Sequence, residues 1–168
     1  MSDATKKITA QTCANEVKER LSDAWLLNIY REKIRSLRTR SFNLGVPNKE
    51  NAVEIMHTLL GVEIKVGRKR ITCPDLAMAR YLAVFARIGC NEIAVPYEIN
   101  RVSSIADELE SSWHRMLLLV TSVAAESSVA LQRRARKMLV DELRIEILAS
   151  GSGPAIPQFN QNTKQRRS

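Results

Sequence analysis

The sequence contains few aromatic residues, histidines and cysteines, and each shortage excludes a class of site. Phe, Trp and Tyr make up 5% of the 168 residues, so the core must be mostly aliphatic and platforms for stacked bases are scarce. The cysteines, Cys13, Cys73 and Cys90, are odd in number and form no CxxC pair, which argues against a disulfide framework and a zinc site. The histidines, His57 and His114, lie far apart and form no ligand-spaced pair.

Motifs of catalytic and cofactor sites are also missing. The chain lacks GxxxxGK(S/T), GxGxxG, GxSxG and HExxH, the signatures of common phosphate, dinucleotide, nucleophile and zinc sites. The best metal-like grouping is Asp107, Glu110 and His114, on one face of a predicted helix. Acidic residues near a helix start and an i, i+4 Glu–His pair explain this grouping more simply. We therefore predict a protein that is not an enzyme and has no cofactor and no metal site.

Long apolar runs are missing too, whereas positive charge is in excess. No stretch reaches the roughly 18 consecutive apolar residues of a membrane span, and the start MSDATKKITA has no signal-peptide core. We therefore expect a cytoplasmic protein without a membrane span. The formal net charge of +8 favours anionic partners, either nucleic acid or an acidic protein surface.

The first half of the chain predicts two helices followed by a hairpin. Thr12 is a suitable N-cap for a long helix running to about Arg40, with apolar residues at helical spacing. The stretch SFNLGVP breaks this helix, and Asn48 can cap a second, shorter helix that ends at Gly61. The order of helix, turn, helix and basic hairpin resembles a winged-helix DNA-binding arrangement in element order alone. No family is assigned, because the base-reading helix would be KENAVEIMHTLL, which is net acidic.

The predicted hairpin rests on the one strict alternation in the sequence, VEIKVGRKRITC. Apolar residues alternate along both halves of this stretch and would share one face of a two-stranded ribbon. The tight turn between the strands is either Gly67-Arg68 or Arg68-Lys69. Both turns keep the apolar residues on one face, so the sequence leaves the register of the hairpin open.

The second half predicts a buried helix, a third strand and a helical C-terminal region. Pro74 starts a helix that Gly89 ends, and its largely apolar circumference places it at the centre of the fold. The segment NEIAVPYEI supplies a third strand, which joins the hairpin through a right-handed crossover in a ββαβ unit. Residues 104–148 are helical, either as one helix or as two antiparallel helices divided at Ser127-Ser128.

These elements predict an α+β fold, in which a small three-stranded sheet is packed by a long N-terminal helix and a C-terminal helical region. We expect one globular domain over residues 1–149. Residues 150–168 are rich in Gly, Pro, Asn and Gln and end in basic residues. We expect this segment to be a flexible basic tail that folding does not require.

Basic residues fall into three clusters that are candidates for phosphate contacts. One lies on the N-terminal helix, one at the hairpin tip and one in QRRARKM of the C-terminal helical region. A lone cluster is more simply a solvated face, but solvation does not require three clusters segregated by sign. Arginine also offers paired donors to phosphate oxygens. The candidate residues are Arg31, Arg35, Arg38, Lys65, Arg68, Lys69, Arg70, Arg133, Arg134, Arg136 and Lys137.

We therefore predict a non-catalytic nucleic-acid-binding or nucleic-acid-associated regulatory protein, which contacts the phosphates of RNA or DNA. The alternative is an adaptor or assembly factor that binds protein partners through helical surfaces, as a homo-oligomer or with other proteins. Its candidate surface is residues 113–123, where the apolar run from Met116 to Val120 lies beyond Trp113. Burial of these side chains within the monomer explains the same run equally well.

Overall fold

A computed structural model of the chain describes residues 8–154 and confirms the predicted α+β class. Within these residues the strands form two small antiparallel sheets, and helices pack against them. The helices are α1 (Ala10–Leu21), α2 (Leu26–Ile29), α3 (Leu76–Ile88), α4 (Ile99–Val123) and α5 (Val129–Ser150). The strands are β1 (Thr39–Asn43), β2 (Glu54–Thr58), β3 (Gly61–Val66), β4 (Lys69–Cys73) and β5 (Glu92–Pro96).

The N-terminal segment is helical, but the single helix predicted from Thr12 to Arg40 is wrong. Helix α1 begins earlier, because Thr9 is its N-cap and exchanges hydrogen bonds with Thr12 in a capping box. Ser22 adopts a φ of 51°, which ends α1 and leads through a short 3-10 turn to α2. Helix α2 then continues as a π-helical turn over Tyr30–Ile34, and strand β1 follows.

A strand replaces the second predicted helix. Residues 44–53 form a loop, and β2 follows where the sequence pattern indicated helix up to Gly61. Ile55 of β2 lies opposite Ile64 of β3, so pairing with a neighbouring strand decides the conformation of this segment. The second helix of the prediction is therefore wrong, and the resemblance to a winged helix in element order is lost with it.

The arrangement of the sheets differs from the predicted ββαβ unit. Strands β2, β3 and β4 form an antiparallel meander, whereas β5 pairs antiparallel with β1. The three-stranded sheet therefore contains β2 in place of β5, and the predicted crossover into the hairpin sheet is wrong. The hairpin itself is confirmed, and the pairing of Val66 with Lys69 selects Gly67-Arg68 as its turn.

Helix α3 lies at the centre of the fold, as its apolar circumference predicts. Its side chains are buried on nearly every side, and Phe85 packs edge-on against Tyr30 with ring centroids 5.7 Å apart. Two tyrosine hydroxyls bind the backbone of β5. Tyr81 donates to the Ala94 carbonyl at 2.5 Å, and the Ala94 amide donates to Tyr30 at 3.0 Å. Burial raises the pKa of Tyr30 to about 12, so its hydroxyl keeps the proton that it donates.

The C-terminal region consists of two helices, α4 and α5, divided where Ser127-Ser128 indicated a break. Ser128 caps α5 by accepting a hydrogen bond from the Leu131 amide at 3.1 Å. Although α4 and α5 are long, no helix in the described part of the chain is apolar enough over a sufficient length to cross a membrane. Of the two alternatives that the sequence left open, the structure therefore selects two helices.

Part of the apolar run predicted as an interaction surface lies inside the monomer. Trp113, Met116 and Val120 are buried in the core, so Trp113 does not present an anchor to a partner. Leu118 is 69% exposed. Oligomerisation through residues 113–123 stays a prediction, and it now rests on Leu118 and its half-buried neighbours.

The chain beyond α5 contacts the domain over the first few residues of the predicted tail. Tyr30 donates a hydrogen bond to the Gly151 carbonyl at 2.6 Å, and the Ser41 amide of β1 donates to the Pro154 carbonyl. Gly153 lies so close to β1 that a Cβ atom would be 2.9 Å from the Thr39 carbonyl oxygen. The rest of the predicted tail, residues 155–168, lies outside the described residues.

Truncating Leu82 or Phe85 of α3 to alanine should destabilise the protein strongly. Both side chains are at most 1% exposed. Removing such a side chain costs about 2–5 kcal/mol through lost burial and the remaining cavity. Chemical denaturation followed by circular dichroism measures the free energy of unfolding. Leu118→Ala is the matched control at an exposed leucine and should change it by less than about 0.5 kcal/mol. A change in the free energy of unfolding near zero for both core variants would contradict the central position of α3.

Candidate anion-binding surface

The loop of residues 44–53 lies between the two basic clusters of the hairpin tip and of α5. On one side, Gly45 lies against the Lys69 side chain of the hairpin. On the other side, Lys49 and Glu50 line a hollow together with residues of α5. The loop therefore joins two clusters that are far apart in sequence.

Backbone contacts at the C-terminal end of α3 hold this loop in place. The Asn51 amide donates a hydrogen bond to the Arg87 carbonyl at 3.0 Å, and the Asn51 side chain donates to the Ala86 carbonyl at 3.1 Å. Gly89 is the C-cap of α3, with a φ of 90°, and a Cβ atom there would overlap the Lys49 backbone. The position of the loop thus depends on a residue without a side chain.

The hairpin tip carries four cations, and within residues 8–154 Arg70 is the one that forms an ion pair. Arg68 lies in the turn and Lys69 begins β4, and neither forms an ion pair within residues 8–154. Lys65 and Arg70 are cross-strand neighbours, and Arg70 lies 3.8 Å from Glu63. Lys65, Arg68 and Lys69 therefore keep their positive charge unpaired within the described residues.

An ion pair ties α5 to the loop. The Arg136 Nε atom lies 2.9 and 3.0 Å from the two carboxylate oxygens of Glu50, and Nη2 also binds this carboxylate. Hydrogen bonds that Arg136 donates to this carboxylate raise the pKa of Arg136. Glu50 and Arg136 thus offset each other's charge, and the pair leaves the neighbouring cations to carry the positive charge.

A hollow of about 430 Å³ opens between α5 and the loop. Its lining includes Lys49, Arg133 and Lys137 beside the Arg136–Glu50 pair. Lys137 donates a hydrogen bond at 2.7 Å to the carboxylate of Asp141, which lies one turn further along α5. Lys49 and Arg133 form no ion pair within the described residues, so they leave a concave, positively charged site of the size of a phosphate group or larger.

The cluster predicted on the N-terminal helix, Arg31, Arg35 and Arg38, lies at the C-terminal end of α5. Arg31 donates a hydrogen bond to Glu146 at 2.9 Å, and Arg35 donates to the carbonyl of Ser150 at 3.1 Å. Arg38 lies over an aromatic ring, 5.0 Å from its centroid. Because Ser150 ends α5, about 25 Å of helix separates it from the basic residues at the start. The structure therefore places two of the three clusters beside the loop of residues 44–53, and it uses Arg31 and Arg35 to hold the end of α5.

Asp107 and Glu110, the two acids of the metal-like grouping on α4, form salt bridges with Arg80 of α3. The Arg80 guanidinium binds Glu110, with Nε 3.1 Å from a carboxylate oxygen, and it also binds Asp107. Hydrogen bonds to these two carboxylates raise the pKa of Arg80. Across residues 8–154, no group of three or more His, Cys, Asp and Glu residues could hold a metal ion. Asp107 and Glu110 thus fix α3 against α4.

Lys49 is the candidate residue that the sequence pattern missed. The pattern places it in a net acidic helix, whereas the structure places it on an exposed loop beside a neutralised Glu50. Gly45 and Pro47 before it are loop-forming residues and were the signal that pointed to this outcome. We define the basic surface as the hairpin tip, this loop and the start of α5. Its cations are Lys49, Lys65, Arg68, Lys69, Arg70, Arg133, Arg134, Arg136 and Lys137.

Comparisons of the chain with protein-family models, with curated proteins and with solved structures find no match. The function therefore has to be inferred from the geometry and charge of the chain itself. The basic surface is the feature in which residues from distant parts of the sequence come together with one kind of chemistry, the binding of anions.

Replacing Gly89 with alanine should destabilise the protein more than the same change at Gly67. Both glycines have left-handed φ angles, 90° and 61°, so both variants carry a backbone strain of about 1–2 kcal/mol. A Cβ atom on Gly89 also overlaps the Lys49 backbone, whereas one on Gly67 meets nothing within 4 Å. Thermal and chemical unfolding of the two variants measure the difference. Equal destabilisation would show that the loop is not held at the end of α3.

Proposed function

We propose that the protein binds nucleic acid through the basic surface and does not catalyse a reaction. The observation that carries this proposal is the convergence of two basic clusters on the two sides of one loop. The loop adds Lys49 between them, and the acid beside it, Glu50, is paired with Arg136. A surface of this kind attracts a chain of phosphates more strongly than a single small anion, because its cations extend over several elements.

Contacts with phosphate account for the kind of cations present. Each phosphate that a Lys or Arg side chain neutralises releases condensed counterions, which favours binding at low salt. Arg68, Arg133 and Arg134 are exposed and offer planar paired donors to phosphate oxygens. The phosphate backbone is the same for every base sequence. Binding through this surface should therefore tolerate different sequences in both RNA and DNA.

An adaptor that binds protein partners is the second candidate. Leu59 and Leu60 form the β2–β3 turn and are almost fully exposed, and adjacent exposed leucines are typical of a surface that a partner covers. This turn lies at the opposite end of the three-stranded sheet from the Gly67-Arg68 turn. Absorbance of the purified protein at 260 nm separates the two candidates, because co-purified nucleic acid raises it and an adaptor alone would not.

Replacing Arg68 and Arg133 together with glutamine, one residue from each cluster, should weaken binding to nucleic acid. Both side chains are exposed, so the free energy of unfolding should change by less than about 0.5 kcal/mol for each. Fluorescence anisotropy over a salt series, with a labelled duplex and a labelled single strand, gives the affinities. The slope of log affinity against log salt should flatten by up to about 0.9 per lost contact on the duplex and about 0.7 on the single strand.

Arg101→Gln with Arg115→Gln is the matched control, because it removes the same charge from exposed positions on α4. This control should keep most of the affinity and the slope of the wild type. A double variant of the basic surface that behaves like the control would remove this surface from the binding site. No binding by the wild type at low salt would reject the proposed function and favour the adaptor.

Replacing Glu50 with glutamine should strengthen binding to nucleic acid. The change removes a negative charge from the basic surface and releases Arg136 from its ion pair, so one more cation can contact phosphate. The expected result is a lower dissociation constant and a steeper salt dependence. Glu19→Gln removes the same charge from an exposed position on α1 and is the control. Weaker binding by a Glu50 variant with an unchanged melting temperature would contradict the proposed role of this pair.

A further inference from the structure

A second concave feature lies beside the basic surface. It is a cleft between the loop at residues 43–48, the turn at residues 89–92 and the C-terminal half of α5. Its volume is about 730 Å³. Pockets of this size bind small molecules or single groups of larger ligands. None of the interactions described above for the basic surface uses the interior of this cleft.

Two buried polar atoms of residues that line the cleft lack a hydrogen-bond partner. Within residues 8–154 four buried side-chain atoms are unpartnered, and Asn91 Oδ1 and Arg144 Nη2 are two of them. The other groups of these side chains are engaged. Asn91 Nδ2 donates to Asn48 Oδ1 at 2.5 Å, and Arg144 donates to the Ile88 carbonyl at 3.0 Å and to Asp141 at 2.9 Å. These two atoms have almost no accessible surface, so they do not themselves face a ligand. The exposed amide side chains of Asn43 and Asn48 also line the cleft, and they offer donors and acceptors to a ligand that carries both groups.

Apolar side chains form another part of the cleft. Ile145 and Leu148 line it and are 62% and 65% exposed. They lie one turn apart on α5, so their side chains are neighbours on the surface. The ligand that fits this cleft therefore has an apolar face as well as an edge that carries a donor and an acceptor.

A nucleobase has this combination of groups. Its ring faces are apolar, and its edge places hydrogen-bond donors next to acceptors, which is how asparagine side chains recognise bases. We propose that the cleft binds an unpaired base of the nucleic acid whose phosphates contact the basic surface. Gly45 lines the cleft and lies against Lys69, so a strand with one base in the cleft has a phosphate near a cation of the hairpin tip.

This inference rests on the proposed function and adds a preference to it. A base that is paired in a duplex cannot enter the cleft, so the protein should favour single strands and unpaired segments. Every common base carries a donor beside an acceptor, so the preference should depend weakly on sequence. Apolar contact replaces aromatic stacking here, which agrees with the low aromatic content of the chain.

The test compares a labelled single strand with an abasic strand of the same length and charge, at one salt concentration. The wild type should bind the base-bearing strand about fivefold more tightly or better. Leu148→Gln should abolish most of this preference and leave the affinity for the abasic strand unchanged, because no phosphate contact is lost. Leu118→Gln changes a leucine that is similarly exposed on α4 and should keep the preference. Asn48→Ala changes a polar side chain of the cleft and should also reduce the preference for the base-bearing strand. It replaces Leu148→Gln in the test if that variant does not fold.

The outcomes distinguish the cleft from the basic surface. Equal affinity of the wild type for the two strands would overturn base binding and leave the phosphate contacts in place. A preference that persists in both cleft variants, with unchanged melting temperatures, would also overturn it. If the wild type binds neither strand at low salt, the proposed function fails, and this inference fails with it.

Discussion

The close approach of the Lys49 backbone to Gly89 is the contact on which the arrangement of the basic surface depends. A left-handed residue without a Cβ atom ends α3 and leaves room for another chain segment to cross that end. Asn51 then donates hydrogen bonds to two carbonyl groups of the last turn of α3, those of Ala86 and Arg87. Because this loop connects β1 to β2, its anchor places the basic hairpin on one side and α5 on the other.

Ion pairing separates the cations that hold the fold together from those that remain exposed. Arg80 joins α3 to α4, Arg31 joins the π-helical turn to the end of α5, and Arg136 joins α5 to the loop. Exposed pairs of this kind contribute about 0–1 kcal/mol each, so they orient the elements more than they stabilise them. Arg68 and Arg133 have no such role within residues 8–154. The unpaired part of the charge on the basic surface is therefore carried by side chains that form no ion pair between elements of the fold.

In the proposed function, the basic surface and the neighbouring cleft divide the chemistry of a nucleotide between them. The basic surface would hold phosphate through exposed cations, and the cleft would hold a base through amide side chains and an apolar patch. Both use the same loop, whose Gly45 lies at their junction. A surface built only from cations would bind any polyanion. Under this proposal, the cleft is the part that distinguishes a nucleic acid from other polyanions and a single strand from a duplex.

Local signals in the sequence determined the α+β class, the β3–β4 hairpin, the buried α3 and the basic character of the hairpin tip and of α5. Strict alternation, the helix start near Asp75 and the helix end at Gly89 act over a few residues, so they can be interpreted without knowledge of the fold. The conformation of residues 44–58, the partner of β5 and the meeting of two basic clusters were decided only by the tertiary structure. The apolar residues of β2 fit helical spacing as well as a strand, and only pairing with β3 separates the two. Likewise, the sequence shows that Arg35 and Arg133 are both cations, but only the folded chain brings one against the end of α5 and leaves the other exposed beside the loop.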